Sequence, residues 1–267
     1  MASESEVFIL GGNGLVGSGF ARYCQAVGRP YVIIDRQNYA SYVGRSCEIF
    51  INANGNSRKN LAVQQPIVEF DASVRSVRAS LIDFRFKHYL HISSCDVYPD
   101  CSSPETTRES QIPDPARQSP YGFHKYLAEQ CVRHAASDWV IFRCGGFVGP
   151  GLKKNAIFDI LRGGPLYLDP ASELQFLHTD NAAKIAFQLL DRGAAREVFN
   201  LCGSGVIQLS EAAELTGKPV PVQPGSPKVR YEISLEKIGS LVSVPDTRAA
   251  VLAFVREQIG QGGAAAD

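Results

Sequence analysis

The apolar run Val7 to Leu10 breaks into three glycines spaced three apart, Gly11, Gly14 and Gly17, in VFILGGNGLVG, and then resumes as an amphipathic stretch. Glycines at this spacing let a backbone leave a buried strand in a tight turn and approach a diphosphate. The free amides of the helix that follows supply positive potential. A strand, a glycine turn and a helix are therefore predicted in that order, with Gly11, Gly14, Leu15, Val16 and Gly17 as candidate cofactor contacts. A second apolar run, Tyr31 to Ile34, ends in Asp35, where a carboxylate accepts hydrogen bonds from adenosine ribose hydroxyls and repels a 2′-phosphate. Together the two features point to a dinucleotide, with NAD favoured over NADP. Arg36, beside Asp35, joins the candidate cofactor contacts and weighs the other way.

A chain of 267 residues with 45% hydrophobic residues can bury one large core, or one core with a small appended lobe. No apolar stretch reaches membrane-spanning length, and the opening MASESE is acidic and polar where a signal peptide needs a basic and then an apolar segment. A soluble, cytoplasmic protein is expected. Basic and acidic residues balance at 27 each with no basic run, so charge gives no reason to invoke nucleic acid, and a small molecule is the expected partner. The seven cysteines, Cys24, Cys47, Cys95, Cys101, Cys131, Cys144 and Cys202, are scattered and predict reduced thiols in the core. The histidines show no metal spacing: His88 and His91 flank a strand, while His124 and His134 lie on helix faces. No metal site is expected.

Strand-like runs recur at Val7–Leu10, Tyr31–Ile34, Ile49–Ala53, Tyr89–Ile92, Val140–Phe142 and Val198–Leu201, with helix-length segments between most of them. This alternation predicts an α/β fold with a parallel sheet covered on both faces. Only thirteen residues separate Asp35 from Ile49, about the minimum for one crossover. Further on, helices are predicted near Ala156 to Leu161, from a Thr179 or Asp180 cap to about Leu190, after a Ser210 cap, and from Pro245-Asp246-Thr247 to Ile259. The organisation expected is a dinucleotide-binding core over 1–145, to which 180–202 return. A mostly substrate-side lobe over 146–259 and a disordered tail over 260–267 complete it.

Two segments carry candidate chemistry. In QSPYGFHKYLAEQ, Tyr121 and Lys125 lie four apart in a helix that Ser119 caps, with Pro120 at its first position, so both side chains share one face. An ammonium near a phenol favours the phenolate, a bound nicotinamide cation would add to the effect, and Tyr121 becomes usable as a general acid or base near neutral pH. In HISSCDVYPD a strand ends at Ser93-Ser94, on the carboxyl edge where doubly wound sheets bind ligands. Ser94 there can donate to a substrate oxygen.

With FRCGGFVGPG, FLHTDNAA and PDTRAAVLAF, these motifs make the chain similar over nearly its whole length to the extended short-chain dehydrogenase/reductase superfamily, in its NAD-dependent epimerase/dehydratase branch. The resemblance implies a Rossmann-like doubly wound parallel sheet with a small C-terminal substrate-binding lobe, tightly held NAD, and often a homodimer formed through helices. It implies Ser94, Tyr121 and Lys125 as a catalytic triad, with Lys125 also on the nicotinamide ribose. Ala53, Asn54 and Gly55 would line the cofactor, and His178, Thr179 and Asp180 would support the substrate lobe.

The chain also departs from the pattern. The span between Asp35 and Ile49 is short for the family and lacks a strand–helix unit, including the acid that commonly contacts adenine. Ser73 stands where the family often has an asparagine, and Gly146 where relatives that bind sugar nucleotides often carry one. Asp96 lies where dehydratases and decarboxylases of the family carry a glutamate that moves a carbon-bound proton, and Cys95 where some place a second acid. The function expected is oxidation of a secondary alcohol of a sugar or nucleotide sugar by hydride transfer to NAD, with epimerisation, or dehydration if Asp96 faces the pocket. The alternatives are a simple dehydrogenase or reductase of a sugar-like substrate, and a non-catalytic NAD-binding sensor or scaffold.

Overall fold

The computed structural model describes residues 6–56 and 59–263. The first half runs β1 (Val7–Leu10), α1 (Leu15–Ala26), β2 (Tyr31–Ile34), α2 (Tyr39–Tyr42), β3 (Ser46–Asn52), α3 (Leu61–Gln64), α4 (Pro66–Phe70), a π-helical turn (Asp71–Arg75), α5 (Ser76–Asp83), β4 (Arg85–Ser94) and α6 (Pro120–Ala135). The second half runs β5 (Trp139–Cys144), β6 (Gly146–Val148), α7 (Ala156–Arg162), β7 (Glu173–Leu174), β8 (Phe176–His178), α8 (Thr179–Asp191), β9 (Glu197–Leu201), β10 (Ile207–Gln208), α9 (Leu209–Leu215), α10 (Glu236–Gly239) and α11 (Thr247–Gly263).

Six strands form one sheet in the order β2-β1-β3-β4-β5-β9, and every pairing in it is parallel. Strands covered on both faces read as continuous apolar runs. In β1, Val7 and Ile9 pack into one core with Phe20 of α1 and Phe187 of α8, while Phe8 and Leu10 pack into another with Val77 of α5 and Val132 of α6. Fully burying each such side chain contributes about 1.5–3 kcal/mol. A third cluster lies off the sheet, where Ile157 and Ile160 of α7, Ala212 of α9 and Val251 and Val255 of α11 close around Val148 and Phe176. Two small sheets, β6 with β8 and β7 with β10, belong to that region.

The short span after Asp35 has a visible consequence. Only the four-residue α2 separates β2 from β3, and β2 is the edge of the sheet, so no strand flanks it on the outer side.

Several expectations need correction. His88 and His91 lie inside β4, which starts at Arg85. His178, rather than Thr179 or Asp180, caps α8, accepting a hydrogen bond from Asp180 N at 3.3 Å. Ser210 sits inside α9, whose capping box is formed by Gln208 and Glu211. α11 runs through Gly263, so residues 260–263 are helical rather than part of a disordered tail; residues 264–267 lie outside the described residues.

Candidate active site

The switch in strand order falls between β1 and β3, and the loops leaving their carboxyl ends meet there. Gly11 takes a φ of +80°, and a Cβ on it would lie 3.0 Å from the Ala53 carbonyl and from Asn54 Cα. A Cβ on Gly17 would run into the Gly11 carbonyl oxygen. Backbone thus approaches backbone as closely as glycine allows, which is the cradle a diphosphate needs. Leu15 and Val16 open α1 half-buried beside it.

Asp35 is half-buried at the end of β2. Its Oδ1 accepts from the Gln37 and Asn38 amides at 2.9 and 3.3 Å, and its Oδ2 from Asn13 Nδ2 at 3.0 Å. Each oxygen keeps capacity for a further donor, so the residues fit a dinucleotide ribose. Arg36 is exposed.

The reacting side is built on β4, β5 and α6. Ser119 Oγ accepts from Gly122 N at 3.1 Å and Pro120 occupies the first turn, which starts α6 so that Tyr121 and Lys125 face the sheet. Both are 6% exposed. A Cβ on Gly122 would collide with the Asp96 carbonyl oxygen, so glycine at this position lets α6 close onto the turn after β4. Behind it, Arg143 of β5 and Glu129 of α6 form a buried pair at 2.8 Å, and Ser93 donates to the same carboxylate at 2.7 Å. That pair fastens the helix to the sheet. The Lys125 ammonium reaches to 3.1 Å from where a Cβ on Gly55 would stand, linking the reacting side to the cofactor loop.

Ser94 ends β4. Its hydroxyl donates to Asp96 Oδ2 at 2.8 Å, while Asp96 Oδ1 takes Lys59 Nζ at 2.6 Å and the Tyr231 hydroxyl at 3.4 Å. Lys59 also lies 4.9 Å above the Tyr231 ring. Asp96 is therefore in the cleft but already engaged. Cys95 and Cys101 are buried, and the neighbouring Cys101 thiol, burial and the Asp96 charge keep the Cys95 thiol protonated.

The electrostatics differ from the expectation that Lys125 makes the phenol acidic. Burial, followed by the Asp96 and Glu69 charges, pushes Tyr121 above its ordinary value, and the nearby Ser94 hydroxyl pulls the other way. The cause is geometric. Lys125 lies 5.8 Å from the centroid of the Tyr121 ring and is itself desolvated, which lowers its own proton affinity.

Gly146 allows no asparagine-like side chain in this fold, since a Cβ there would stand 2.6 Å from the Phe176 ring and 2.7 Å from the Gln175 carbonyl oxygen. Thr179 and Asp180 tie the two halves of the chain together through Arg22 of α1, at 2.9 and 2.8 Å. Sequence reasoning missed Lys59, Tyr231, Glu69 and the site role of His124. Lys59, Tyr231 and Glu69 lie in no motif, His124 lies in one without a role there, and only their placement against Ser94, Asp96 and Lys125 distinguishes them. Among the described residues no group of three or more His, Cys, Asp or Glu is arranged to hold a metal ion, and no helix is long and apolar enough to cross a membrane.

Residues 72–202 match the model of the NAD dependent epimerase/dehydratase family. No curated protein matches the chain. Among solved structures, MoeE5 in complex with UDP-glucuronic acid and NAD is 18% identical with a TM-score of 0.80, the match covering 96% of this chain and 99% of that one. A UDP-galactose 4-epimerase is 17% identical with a TM-score of 0.78, over 96% and 99%. The UDP-glucuronic acid 4-epimerase from Bacillus cereus, in complex with UDP-glucuronic acid and NAD, is 17% identical with a TM-score of 0.74 at the same coverage. At these identities the likeness is one of fold.

Proposed function

Because the chain belongs, through residues 72–202, to the NAD-dependent epimerase/dehydratase family, we propose that it is an enzyme that oxidises a secondary alcohol of a nucleotide sugar or related sugar by hydride transfer. The observation that carries this is the convergence of Ser94, Tyr121 and Lys125, all buried or nearly so, on the carboxyl edge beside the Gly11 and Ala53–Gly55 loops. A sensor or scaffold needs no such register. The solved structures of similar fold that hold UDP-glucuronic acid with NAD support the substrate class.

Asp35 would take the adenosine ribose, Gly11, Gly14 and Gly17 the diphosphate, and Lys125 the nicotinamide ribose. NAD, when bound, supplies the hydride acceptor and a cationic ring. Ser94 turns its hydroxyl from Asp96 to the substrate oxygen, and Tyr121 Oη takes the proton from that oxygen as the phenolate, the form that the cationic ring of bound NAD would favour against burial and the Asp96 and Glu69 charges. For Asp96 to move a carbon-bound proton it must leave Lys59 and Tyr231, and Cys95 is held as a thiol. Both observations favour return of the hydride to the opposite face of the ketone, which is epimerisation, over elimination of water.

One observation supports a second reading. With β2 at the sheet edge and no strand beyond it among the described residues, the sheet gives the adenine end of a dinucleotide less to rest on, which suits a dehydrogenase or reductase that exchanges its cofactor every turnover. Mass spectrometry of nucleotides released from freshly purified protein separates the two, since an epimerase retains NAD and turns over without added nucleotide. Tyr121→Phe tests both. It is expected to lower kcat about a thousandfold, within the range of lost general acid–base catalysis, while leaving NAD affinity unchanged; retained turnover would exclude the proposed chemistry.

The homodimer is also a proposal. α3, α4 and α6 adjoin one another and expose Val63 at 69%, Ile67 at 73%, Val68 and Phe123, a helical face suited to its own copy.

A further inference from the structure

Behind Tyr121 and Lys125 lies a second buried group of ionisable side chains that the proposed reaction does not use. Glu69 on α4 is fully buried. One of its carboxylate oxygens accepts from Ser73 Oγ in the π-helical turn, and the other pairs with Nδ1 of His124 on α6. His124 precedes Lys125 in sequence and lies one turn from Tyr121. A carboxylate taken wholly out of water is costly unless partnered, and π-helical turns are frequent at functional sites.

The surroundings of Lys125 distinguish Glu69 from the other anions. Lys125 Nζ and the Ser73 Oγ that bonds Glu69 stand 3.1 and 4.0 Å from where a Cβ on Gly55 would be, and the groups that act on the ammonium are Glu69 from α4, Asp96 from the turn after β4, Cys144 from β5, His91 from β4, and Tyr121 and Glu129 from its own helix. Glu129 is committed to Arg143 and Asp96 to Lys59. Burial keeps Cys144 a thiol, and burial with the Lys125 charge beside it holds His91 down to about 3, hence neutral. Glu69 alone of these carboxylates has no lysine or arginine partner among the described residues; its ionic partner is an imidazole. Nδ1 of His124 and Ser73 Oγ fix the Glu69 carboxylate in place, and its field raises the proton affinity of Lys125 more than that of any other neighbour.

We propose that Glu69, oriented by Ser73 and His124, is a positioning residue: it is the buried counter-charge that keeps Lys125 an ammonium in a cleft that strips it of water. The proposal rests on the cofactor role assigned above to Lys125.

NADH, which survives alkaline solution, tests it through its fluorescence on titration into the full chain, freed of co-purified nucleotide, over a series of pH values. An ammonium donates to ribose hydroxyls more strongly than an amine, so affinity falls on the alkaline side as Lys125 loses its proton, and Lys125→Met removes that dependence. Removing a nearby opposite charge lowers a lysine by about one pH unit or more. In Glu69→Gln the alkaline midpoint is therefore expected to move down, with binding about tenfold weaker on that limb and unchanged near neutral pH. The amide can still bond both Ser73 and His124, so the fold is kept, which a thermal melt checks. Glu69→Asp disturbs packing more but retains the charge, and its midpoint is expected to stay near wild type. Equal midpoints in wild type and Glu69→Gln, a shift in Glu69→Asp instead, or a pH-independent wild-type affinity each overturn this inference alone. Absence of NADH binding at any pH overturns the proposed function and this inference with it.

Discussion

On the cofactor side of the cleft, β1 and β3 deliver backbone, whereas on the reacting side β4 and α6 deliver ionisable side chains. The Gly11 and Gly17 contacts leave no room for a single added carbon, so that side is fixed by sterics and is insensitive to pH and salt. Asp96, Tyr121, Lys125 and Glu69 instead interact through charge in a buried setting, where small displacements change energies steeply. A glycine-built half answers to volume, and a charge-built half answers to protonation and position.

Gly17→Ala presses hardest on this contrast. It is expected to cost about 3 kcal/mol of folding stability, the upper range for overpacking, and to abolish NAD binding, as read by chemical denaturation and calorimetry. If NAD still binds normally, the steric account of that half is wrong. Gly122→Ala applies the same added carbon to the other half. There it displaces α6 from the turn after β4, and a misplacement of about 1 Å costs on the order of a hundredfold in turnover. NAD affinity should change far less, so a parallel loss of both would erase the distinction between the halves.

Asp35→Ala is expected to weaken NAD about ten- to hundredfold and to narrow the gap between NAD and NADP, since it removes a charged hydrogen-bond acceptor worth about 1.5–3 kcal/mol; isothermal titration with both nucleotides decides it. The smallest effect expected is for Lys59→Ala. Its side chain is 56% exposed, and exposed pairs contribute about 0.2–1 kcal/mol. Thermal melting should barely move, while a gain in water elimination from a nucleotide sugar would reveal Asp96 as a base that Lys59 restrains.

Legibility followed the same division. The glycine spacing and Asp35 pointed to the proposed cofactor half because its requirement is local, a turn and a missing Cβ that neighbouring residues in sequence specify. Tyr121 and Lys125 were legible as partners because four residues span one helical turn. Their electrostatics were not, since the anions acting on Tyr121 come from Glu69, 52 positions upstream, and from Asp96, 25 upstream. Gly146 looked like a lost asparagine, and the reason, a Phe176 ring packed against it, lies thirty residues away. The cap of α8 and the end of α11 differed from expectation by a few residues, where competing caps are energetically close.

By itself the sequence determined the α/β alternation, the glycine turn at Gly11–Gly17, and the helix that carries Tyr121 beside Lys125, because periodicity and turn chemistry are properties of short segments. Tertiary structure decided which charges surround that helix. It joined Lys59 to Asp96, buried Glu69 against His124 and left β2 at the sheet edge, because burial and charge pairing depend on distances between segments that no local pattern encodes.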